Sequence, residues 1–324
     1  MPVAGPTAPA AALAYSAVMT VYAERRRAAS TFVPVRGLDY HVQQWGDGTL
    51  AGATRPPLVL VHGWMDVGAS FQFLVDALAA EEGFERWVIA PDWRGFGLTE
   101  PQPATDSYWF PDYLGDLEAL LDALKLERID LVGHSMGGNV VMSYAGVRPQ
   151  RIRKLVNLEG FGLPRTEPRH APKRLAQWLD SLKEDQTLRD YASQDEVAAR
   201  LMKNNPRLSA DKAAWLAPHW SRRDARGRHV ILGDPAHKRP NPTLYRVEEH
   251  LETWKLITAP LLWVEGDSTD TSMWWGHRYS KGEFHERLNV VAQAERHVLA
   301  DCGHMLHHDQ PAALATLLAR FLGP

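Results

Sequence analysis

A serine, a histidine and several carboxylates in this 324-residue chain have the types and spacing that acyl-transfer chemistry requires. Ser135 stands in the stretch LVGHSMGGNV, between an apolar run and a helix-like segment, and fits the pattern G-x-S-x-G. In that pattern the serine occupies a tight turn between a strand and a helix, where its hydroxyl projects above the sheet. The N-terminus of the helix offers partial positive charge to a developing oxyanion. The pattern predicts that Ser135 is a nucleophile.

A serine hydroxyl becomes a good nucleophile only when a base takes its proton. Among the 14 histidines, His304 is the candidate base because it lies between the last apolar run and a terminal helix-like segment. That loop is expected at the carboxyl edge of the sheet, where open α/β sheets place their sites. His307 and His308 are predicted to lie at the surface or to cap the helix, and His134 to pack beside the nucleophile. A metal site on this H-x-x-H-H stretch is disfavoured because no carboxylate stands at a useful spacing.

Short, nearly all-apolar runs at wide spacing predict strands buried on both faces of a parallel sheet. These runs are LVLVH (58–62), WVIAP (87–91), IDLVG (129–133), LVNLE (155–159), LLWVE (261–265) and RHVLAD (296–301). Two earlier runs, TFVPVRG and DYHVQQW, predict an antiparallel hairpin. Because helix-like segments alternate with the apolar runs, we predict an α/β fold with a mostly parallel, doubly wound sheet.

The strand and helix alternation stops between residues 163 and 256, where helix-like pieces separated by Pro and Gly predict an inserted helical cap. The predicted α/β core then comprises residues 31–162 and 257–324. Residues 1–30 are predicted to form a helical or loose N-terminal extension.

The composition limits the classes of partner and the location. With 45% hydrophobic residues, 23% charged residues and a net charge of -3, the chain has an ordinary globular composition and no basic domain for nucleic acid. The single cysteine, Cys302, excludes an intrachain disulfide framework and fits a reducing compartment, so we expect a cytoplasmic protein. The N-terminal apolar stretch is short and precedes its arginines, which favours neither a secretory signal nor stable membrane insertion. The oligomeric state stays open.

Four motifs stand in an order and spacing that resembles the α/β-hydrolase superfamily: HGW (62–64), DWRGFG (92–97), GHSMGG (133–138) and GHMLHHDQP (303–311). HGWMDVGASF, LEGFGLP and the predicted cap make the chain most similar to the serine-hydrolase-like, epoxide-hydrolase-related branch. The resemblance implies a Ser-His-acid triad under a helical lid, with no metal or organic cofactor. In the related epoxide hydrolases and haloalkane dehalogenases the nucleophile is Asp, so Ser135 argues against both chemistries. Within the superfamily the DWRGFG motif more often shapes a loop, with its arginine paired internally.

Two backbone N–H groups are expected to hold the oxyanion. Met136 follows the nucleophile and supplies one by position. The second is expected from the loop after the first parallel strand, where Trp64 is the candidate and where His62 and Gly63 set the turn.

The position of the third triad member departs from the family pattern. Family members usually carry the acid three residues after the Gly that ends the penultimate strand, and here that position is Thr269, flanked by Asp267 and Asp270. A second location in the family is the end of the preceding strand, where Glu159 stands. The acid fixes the histidine tautomer and stabilises the imidazolium, and all three carboxylates remain candidates.

These residues predict a serine hydrolase that cleaves a carboxylic ester through an acyl-enzyme intermediate. Tryptophans in the predicted cap favour a small-molecule ester with an apolar or aromatic group. These are Trp178, Trp215, Trp220 and Trp254. Two alternatives remain: a C–C bond hydrolase that uses the same triad on vinylogous diketones, and a ligand receptor with residual hydrolysis.

Overall fold

The strands and helices follow the apolar runs and helix-like segments of the sequence. The structure is a computed structural model and describes residues 21–52 and 54–323. The strands are β1 (Ala29–Val35), β2 (Leu38–Trp45), β3 (Leu58–Val61), β4 (Val88–Pro91), β5 (Ile129–His134), β6 (Ile152–Leu158), β7 (Asp190–Tyr191), β8 (Ser221–Arg223), β9 (His229–Ile231), β10 (Leu261–Gly266) and β11 (Ala294–Leu299). The α-helices are α1 (Gln72–Leu78), α2 (Phe110–Ala123), α3 (Met136–Val147), α4 (Ala171–Ser181), α5 (Gln194–Asn204), α6 (Ala210–Trp220), α7 (Val247–Trp254), α8 (Ser272–Trp275), α9 (Lys281–Leu288), α10 (Leu306–Asp309) and α11 (Pro311–Leu322).

Eight of the strands form one sheet in the order β1-β2-β4-β3-β5-β6-β10-β11. Strand β2 runs antiparallel to both β1 and β4, and every later neighbour pair is parallel. The predicted hairpin and the predicted mostly parallel, doubly wound sheet are therefore confirmed.

Strand β3 shows why the buried runs are apolar throughout. Val59 and Val61 pack into the core layer that holds residues of α2 and α3, whereas Leu58 and Leu60 pack into the layer that holds residues of α1 and α11. Successive side chains of a strand point to opposite faces of the sheet, so a strand covered on both faces needs apolar residues at every position.

The segment between β6 and β10 contains four helices, α4 to α7, together with a small three-stranded sheet in the order β7-β9-β8. We did not predict this sheet, because strands of two or three residues are too short to produce a periodic pattern. The segment contacts the rest of the chain at Gly97, whose N–H donates to the Leu232 carbonyl over 2.9 Å. Its last helix, α7, belongs to the main core, since Trp254 is buried there. The boundaries 163–256 stay a prediction.

Residues 1–20 of the predicted extension lie outside the described residues. The chain is tied to the core at Tyr22, whose hydroxyl donates to Asp76 over 2.8 Å and whose ring packs edge-on against Phe73. Among the described residues, no helix combines the length and apolar character needed to cross a membrane.

Candidate active site

Ser135 lies on a strained turn between β5 and α3, with φ 53° and ψ -115°. Its flanking glycines are required by close backbone approaches. A Cβ on Gly133 would lie 2.4 Å from the Gly137 carbonyl oxygen, and a Cβ on Gly137 would lie 2.4 Å from the Val61 carbonyl oxygen. The Ser135 N–H donates to the Leu158 carbonyl over 2.8 Å, which ties the turn to the end of β6. The sequence therefore folds this turn in the strand, turn and helix context that a nucleophilic serine needs.

Ser135, His304 and Glu159 form a continuous hydrogen-bonded chain. His304 Nε2 lies 2.9 Å from Ser135 Oγ, and His304 Nδ1 lies 2.6 Å from Glu159 Oε2. Since a carboxylate accepts a hydrogen bond from the protonated ring nitrogen, Nδ1 carries the proton and Nε2 presents its lone pair to the serine hydroxyl. The arrangement can accept the proton of Ser135 during nucleophilic attack.

Glu159 directly follows β6 and is buried. Its backbone N–H donates to the Val264 carbonyl over 3.1 Å, and its Oε1 accepts from the Gly266 N–H over 2.8 Å. Each carboxylate oxygen therefore has one partner, the first on β10 and the second on His304. This pairing fixes the orientation of the carboxylate without a second charged group.

Asp267 and Asp270 form their hydrogen bonds with loop backbone instead of with His304. Asp267 follows β10 and accepts from the backbone N–H groups of Asp301 and Cys302 over 2.9 and 3.1 Å, and these bonds lower the pKa of Asp267 to about 2. Asp270 accepts from the Ser272 N–H over 2.9 Å at the start of α8. Of the three acids that the sequence proposed, the structure brings Glu159 to the histidine ring, while the other two carboxylates hold loop backbone.

The two expected oxyanion donors lie at the start of α3 and on the loop after β3. Met136 is the first residue of α3, where a backbone N–H has no intrahelical acceptor. The loop containing Trp64 lies against the turn, since a Cβ on Gly63 would be 3.1 Å from Ser135 Cβ. Within the described ranges, the Trp64 N–H donates to no protein acceptor. Both N–H groups are therefore available to an oxyanion.

His62 fixes the loop that carries Trp64. Its Nε2 accepts from the Trp93 N–H over 2.9 Å, so the proton is on Nδ1, which donates to the Gly63 carbonyl over 2.7 Å. Burial lowers the pKa of His62, which keeps the ring neutral and the tautomer constant at neutral pH.

The prediction for His307 and His308 is wrong, because both side chains are buried, at 0% and 3% exposure. The short helix α10 turns them inward, and the His307 ring packs against Phe71 at 4.8 Å between centroids. Two adjacent histidines are too few to show a periodic pattern, so the sequence did not indicate which face of this short helix points to the core. His134 is buried as predicted, and its Nε2 donates to the His304 carbonyl over 2.8 Å.

Arg94 of the DWRGFG motif is paired internally, as the resemblance implied. Its Nε and Nη2 lie 2.5 and 2.6 Å from the two carboxylate oxygens of Asp116. Asp92 accepts from the Gly68 N–H over 2.7 Å. The motif thus shapes the loop after β4.

Two exposed tryptophans stand on the segments that carry the site. Trp64 is 50% exposed, and Trp274 is 43% exposed with its ring edge-on to His304 at 4.6 Å between centroids. We did not predict Trp274. Its signal was available as the aromatic pair in TSMWWG directly after the acid candidates. In contrast, Trp215 is buried, and Trp178 uses its Nε1 to bond Ser107 over 3.0 Å.

Comparisons with known proteins agree on the family of this chain. A family model described as the alpha/beta hydrolase fold matches residues 56–311. The serine hydrolase-like protein of Danio rerio is 26% identical over 309 residues, which cover 92% of this chain and 90% of that protein. The cis-3-alkyl-4-alkyloxetan-2-one decarboxylase of Shewanella oneidensis is 29% identical over 278 residues, which cover 82% of this chain and 81% of that protein.

A solved structure supports the same assignment. The thioesterase domain from the curacin biosynthetic pathway superposes with a TM-score of 0.77 at 26% identity, and the match covers 90% of this chain and 99% of that one. The resemblance that the sequence motifs carried is confirmed. With more than half of its length matched by the family model and its serine turn in place, this chain is a hydrolase of the alpha/beta hydrolase family.

Proposed function

We propose that this hydrolase cleaves a carboxylic ester through an acyl-enzyme intermediate on Ser135. One observation carries the proposal: the continuous chain from Ser135 Oγ through His304 to Glu159, with separations of 2.9 and 2.6 Å. A serine, a neutral imidazole and a buried carboxylate in this order form the constellation that activates a serine hydroxyl.

In the first half-reaction, Ser135 Oγ attacks the ester carbonyl carbon while His304 Nε2 takes the hydroxyl proton. Glu159 stabilises the imidazolium that forms, and the N–H groups of Met136 and Trp64 bind the oxyanion of the tetrahedral intermediate. The carbon–oxygen bond to the leaving group then breaks, and His304 returns the proton to the departing alkoxide. The products are an alcohol and an acyl-serine.

In the second half-reaction, water attacks the acyl carbon while His304 takes one of its protons. Collapse of the new tetrahedral intermediate breaks the bond to Ser135, and His304 donates its proton to the serine oxygen. The carboxylic acid leaves and the resting protonation state returns. Side chains and water complete every proton transfer in this cycle.

The substrate is proposed to be a small ester with an apolar or aromatic group. Support comes from Trp274, whose partly exposed ring packs edge-on against His304, and from the exposed Trp64 on the adjoining loop. Aromatic side chains favour apolar ligand groups and stack on aromatic ones. The buried Trp215 and Trp254 give no such support, because their side chains pack in the protein interior.

A thioester is the second candidate substrate. The similar solved structure, at 26% identity, is a thioesterase domain. Thioester and ester cleavage use the same acyl-enzyme route and differ in the leaving atom, so the triad geometry serves both.

The test is steady-state hydrolysis of p-nitrophenyl esters from acetate to octanoate, with matched acyl thioesters in parallel. Wild type is compared with Ser135→Ala and with the control Ser143→Ala. Ser143 is also a buried serine, located within α3, and its hydroxyl has no hydrogen-bond partner among the described residues. We expect Ser135→Ala to lose activity by several orders of magnitude and Ser143→Ala to retain it.

Mass spectrometry of the intact protein after brief mixing with a slow ester gives an independent readout. We expect an added acyl mass on wild type and none on Ser135→Ala. Equal turnover by wild type and Ser135→Ala would overturn the proposal. Faster turnover of the thioester than of the matched ester, at equal acyl group, would select the second candidate.

A further inference from the structure

A buried cluster of polar side chains adjoins His304, and the proposed reaction does not use it. It consists of Asp66, Ser70, His134 and His307, and we call it the buried histidine cluster. Ser70 Oγ donates to Asp66 Oδ2 over 2.9 Å and lies 3.0 Å from His307 Nε2. The rings of His134 and His307 pack edge-on at 4.7 Å between centroids. All four residues are at most 4% exposed.

Two ring nitrogens of the cluster lack hydrogen-bond partners in the part of the chain that the structure describes. They are Nδ1 of His134 and Nδ1 of His307. His134 donates from Nε2 to the His304 carbonyl over 2.8 Å, so its Nδ1 carries a lone pair in the neutral ring. Nearly all buried polar atoms in proteins are paired, so each exception calls for an explanation, and a bound ion is one such explanation.

The donor atoms are close enough to share one ion. One donor atom each from Asp66, His134 and His307 lies within 4.8 Å of the other two, and the His307 nitrogen that faces Asp66 is Nε2, 3.8 Å from Oδ2. Two imidazole nitrogens and a carboxylate oxygen are donor types of zinc sites, whereas calcium and magnesium prefer oxygen ligands. Zinc bonds to nitrogen and oxygen are about 2.0–2.2 Å long, so the three donors would have to move closer together to share one ion, with water as the fourth ligand.

The outer contacts of His134 and Asp66 also fit a metal site. A metal-bound histidine usually donates its second ring nitrogen to a carbonyl or carboxylate, which fixes the tautomer and aims the lone pair at the ion. His134 makes this contact with the His304 carbonyl. Asp66 is likewise held, because its Oδ1 accepts from the Val67 N–H over 2.8 Å.

We propose that Asp66, His134 and His307 form a zinc site that inhibits the enzyme. The binding half of this proposal stands on the cluster itself, and the inhibition half rests on the proposed function. The ring of His304 packs against that of His134 at 4.8 Å between centroids. A divalent cation on His134 would oppose the positive charge that His304 acquires when it takes the serine proton, and would therefore raise the barrier.

The first experiment measures binding without any substrate. Chelator-treated full-length protein is titrated with zinc chloride by calorimetry, and Co²⁺ serves as a spectroscopic probe of a tetrahedral nitrogen and oxygen site. We expect one ion per chain. The same zinc series is then applied to ester hydrolysis, and we expect activity to fall with the concentration dependence of binding.

Variants locate the ion. Asp66→Asn and His307→Gln each remove one ligand, and the exposed His277→Gln is the matched control for adventitious surface binding. Because loss of an outer contact alone typically weakens metal affinity 10- to 100-fold, we expect each ligand variant to weaken zinc binding by at least about 10-fold. The control should bind as wild type does. Circular dichroism verifies folding, and the Co²⁺ spectrum of wild type reports the donor types even where a variant fails to fold.

The outcomes separate the two proposals. Absence of zinc binding by wild type, or binding unchanged in both ligand variants, overturns the zinc site. Binding that is lost in Glu159→Gln instead would place the ion on the catalytic pair and also overturn it. If zinc binding weakens in the ligand variants but zinc leaves the rate of ester hydrolysis by wild type unchanged, only the inhibition is overturned. If metal-free wild type cleaves no ester, and zinc binding is weakened in the ligand variants, the proposed function fails and the metal site stands.

Discussion

Glu159 Oε2 lies 2.6 Å from His304 Nδ1, although the two residues are 145 positions apart in the chain. The pairing places a carboxylate at the end of β6 rather than after β10. The segment after β10 has a different arrangement: Asp267 holds the backbone of the histidine loop, and Trp274 packs edge-on against the His304 ring. The carboxylate that contacts His304 therefore follows β6, while the segment after β10 contributes an aromatic ring to the same histidine.

The first prediction concerns the acid. Glu159→Gln should lower kcat for ester hydrolysis by about 10⁴-fold, because an amide no longer holds the productive tautomer of His304 or stabilises its imidazolium. Steady-state kinetics measures the loss. Asp270→Asn is the matched control, since the same chemical change at an exposed carboxylate should leave kcat near the wild-type value. A larger loss in the control than in Glu159→Gln would reassign the acid.

The second prediction concerns Asp267, which acts through the backbone of the histidine loop. Asp267→Ala removes the acceptor for the N–H groups of Asp301 and Cys302, so the loop that carries His304 should loosen. We expect a kcat reduced by about 10- to 100-fold, with faster hydrogen exchange at these two amides. Asp267→Asn keeps one acceptor oxygen and should recover part of both effects. Unchanged exchange in Asp267→Ala would contradict this positioning role.

The third prediction concerns the close packing of the oxyanion loop. A Cβ on Gly63 would lie 3.1 Å from both His134 Nδ1 and Ser135 Cβ, so Gly63→Ala should push the loop away from the serine. We expect kcat to fall by about 100-fold or more, since removal of one oxyanion donor costs that much, with KM changing little. Gly48→Ala is the control, because its nearest neighbour would be 3.7 Å away. Equal activity in the two variants would exclude a steric role for Gly63.

The fourth prediction concerns pH and stability. The His237 ring is stacked between Phe96 and Tyr108, at 3.8 and 3.5 Å between centroids, and burial lowers the pKa of His237 from 6.5 to about 3. Between these two values the unfolded chain binds a proton that the folded chain does not, so the free energy of unfolding falls as pH drops from about 6.5 to 3. His237→Gln should flatten this dependence by at most about 1.4 kcal/mol per pH unit.

Urea unfolding at a series of pH values between 7 and 4 measures that slope. The exposed His277→Gln should leave the slope as it is in wild type. A slope unchanged by His237→Gln would show that the ring titrates alike in both states.

The fifth prediction concerns Trp274. Trp274→Ala should lower kcat/KM for an aryl ester by up to about 10-fold relative to acetate, because an aromatic pair contributes about 0.5–1.5 kcal/mol beyond its buried area. Paired assays of phenylacetate-type and acetate-type p-nitrophenyl esters measure the ratio. Met273→Ala changes an even more exposed neighbour, 82% exposed, and should leave the ratio unaltered. An identical ratio in all three proteins would remove Trp274 from substrate selection.

The sequence by itself determined the fold class, the serine turn and the histidine loop. Each of these depends on residues that are near one another in the chain, such as the four apolar residues of β3 or the glycines around Ser135. Backbone sterics and burial on both faces of a strand act over a few residues, so they leave a local pattern.

The tertiary structure decided which carboxylate meets His304 and where the histidines of α10 point. The three candidate acids follow two neighbouring strands, β6 and β10. Whether one of them bonds to His304 depends on differences of tenths of an ångström, which residue spacing in the sequence does not encode. The same is true of Asp66, which contacts His307 through Ser70 from the loop after β3. Strand order and packing bring such distant residues together, and those depend on the whole chain at once.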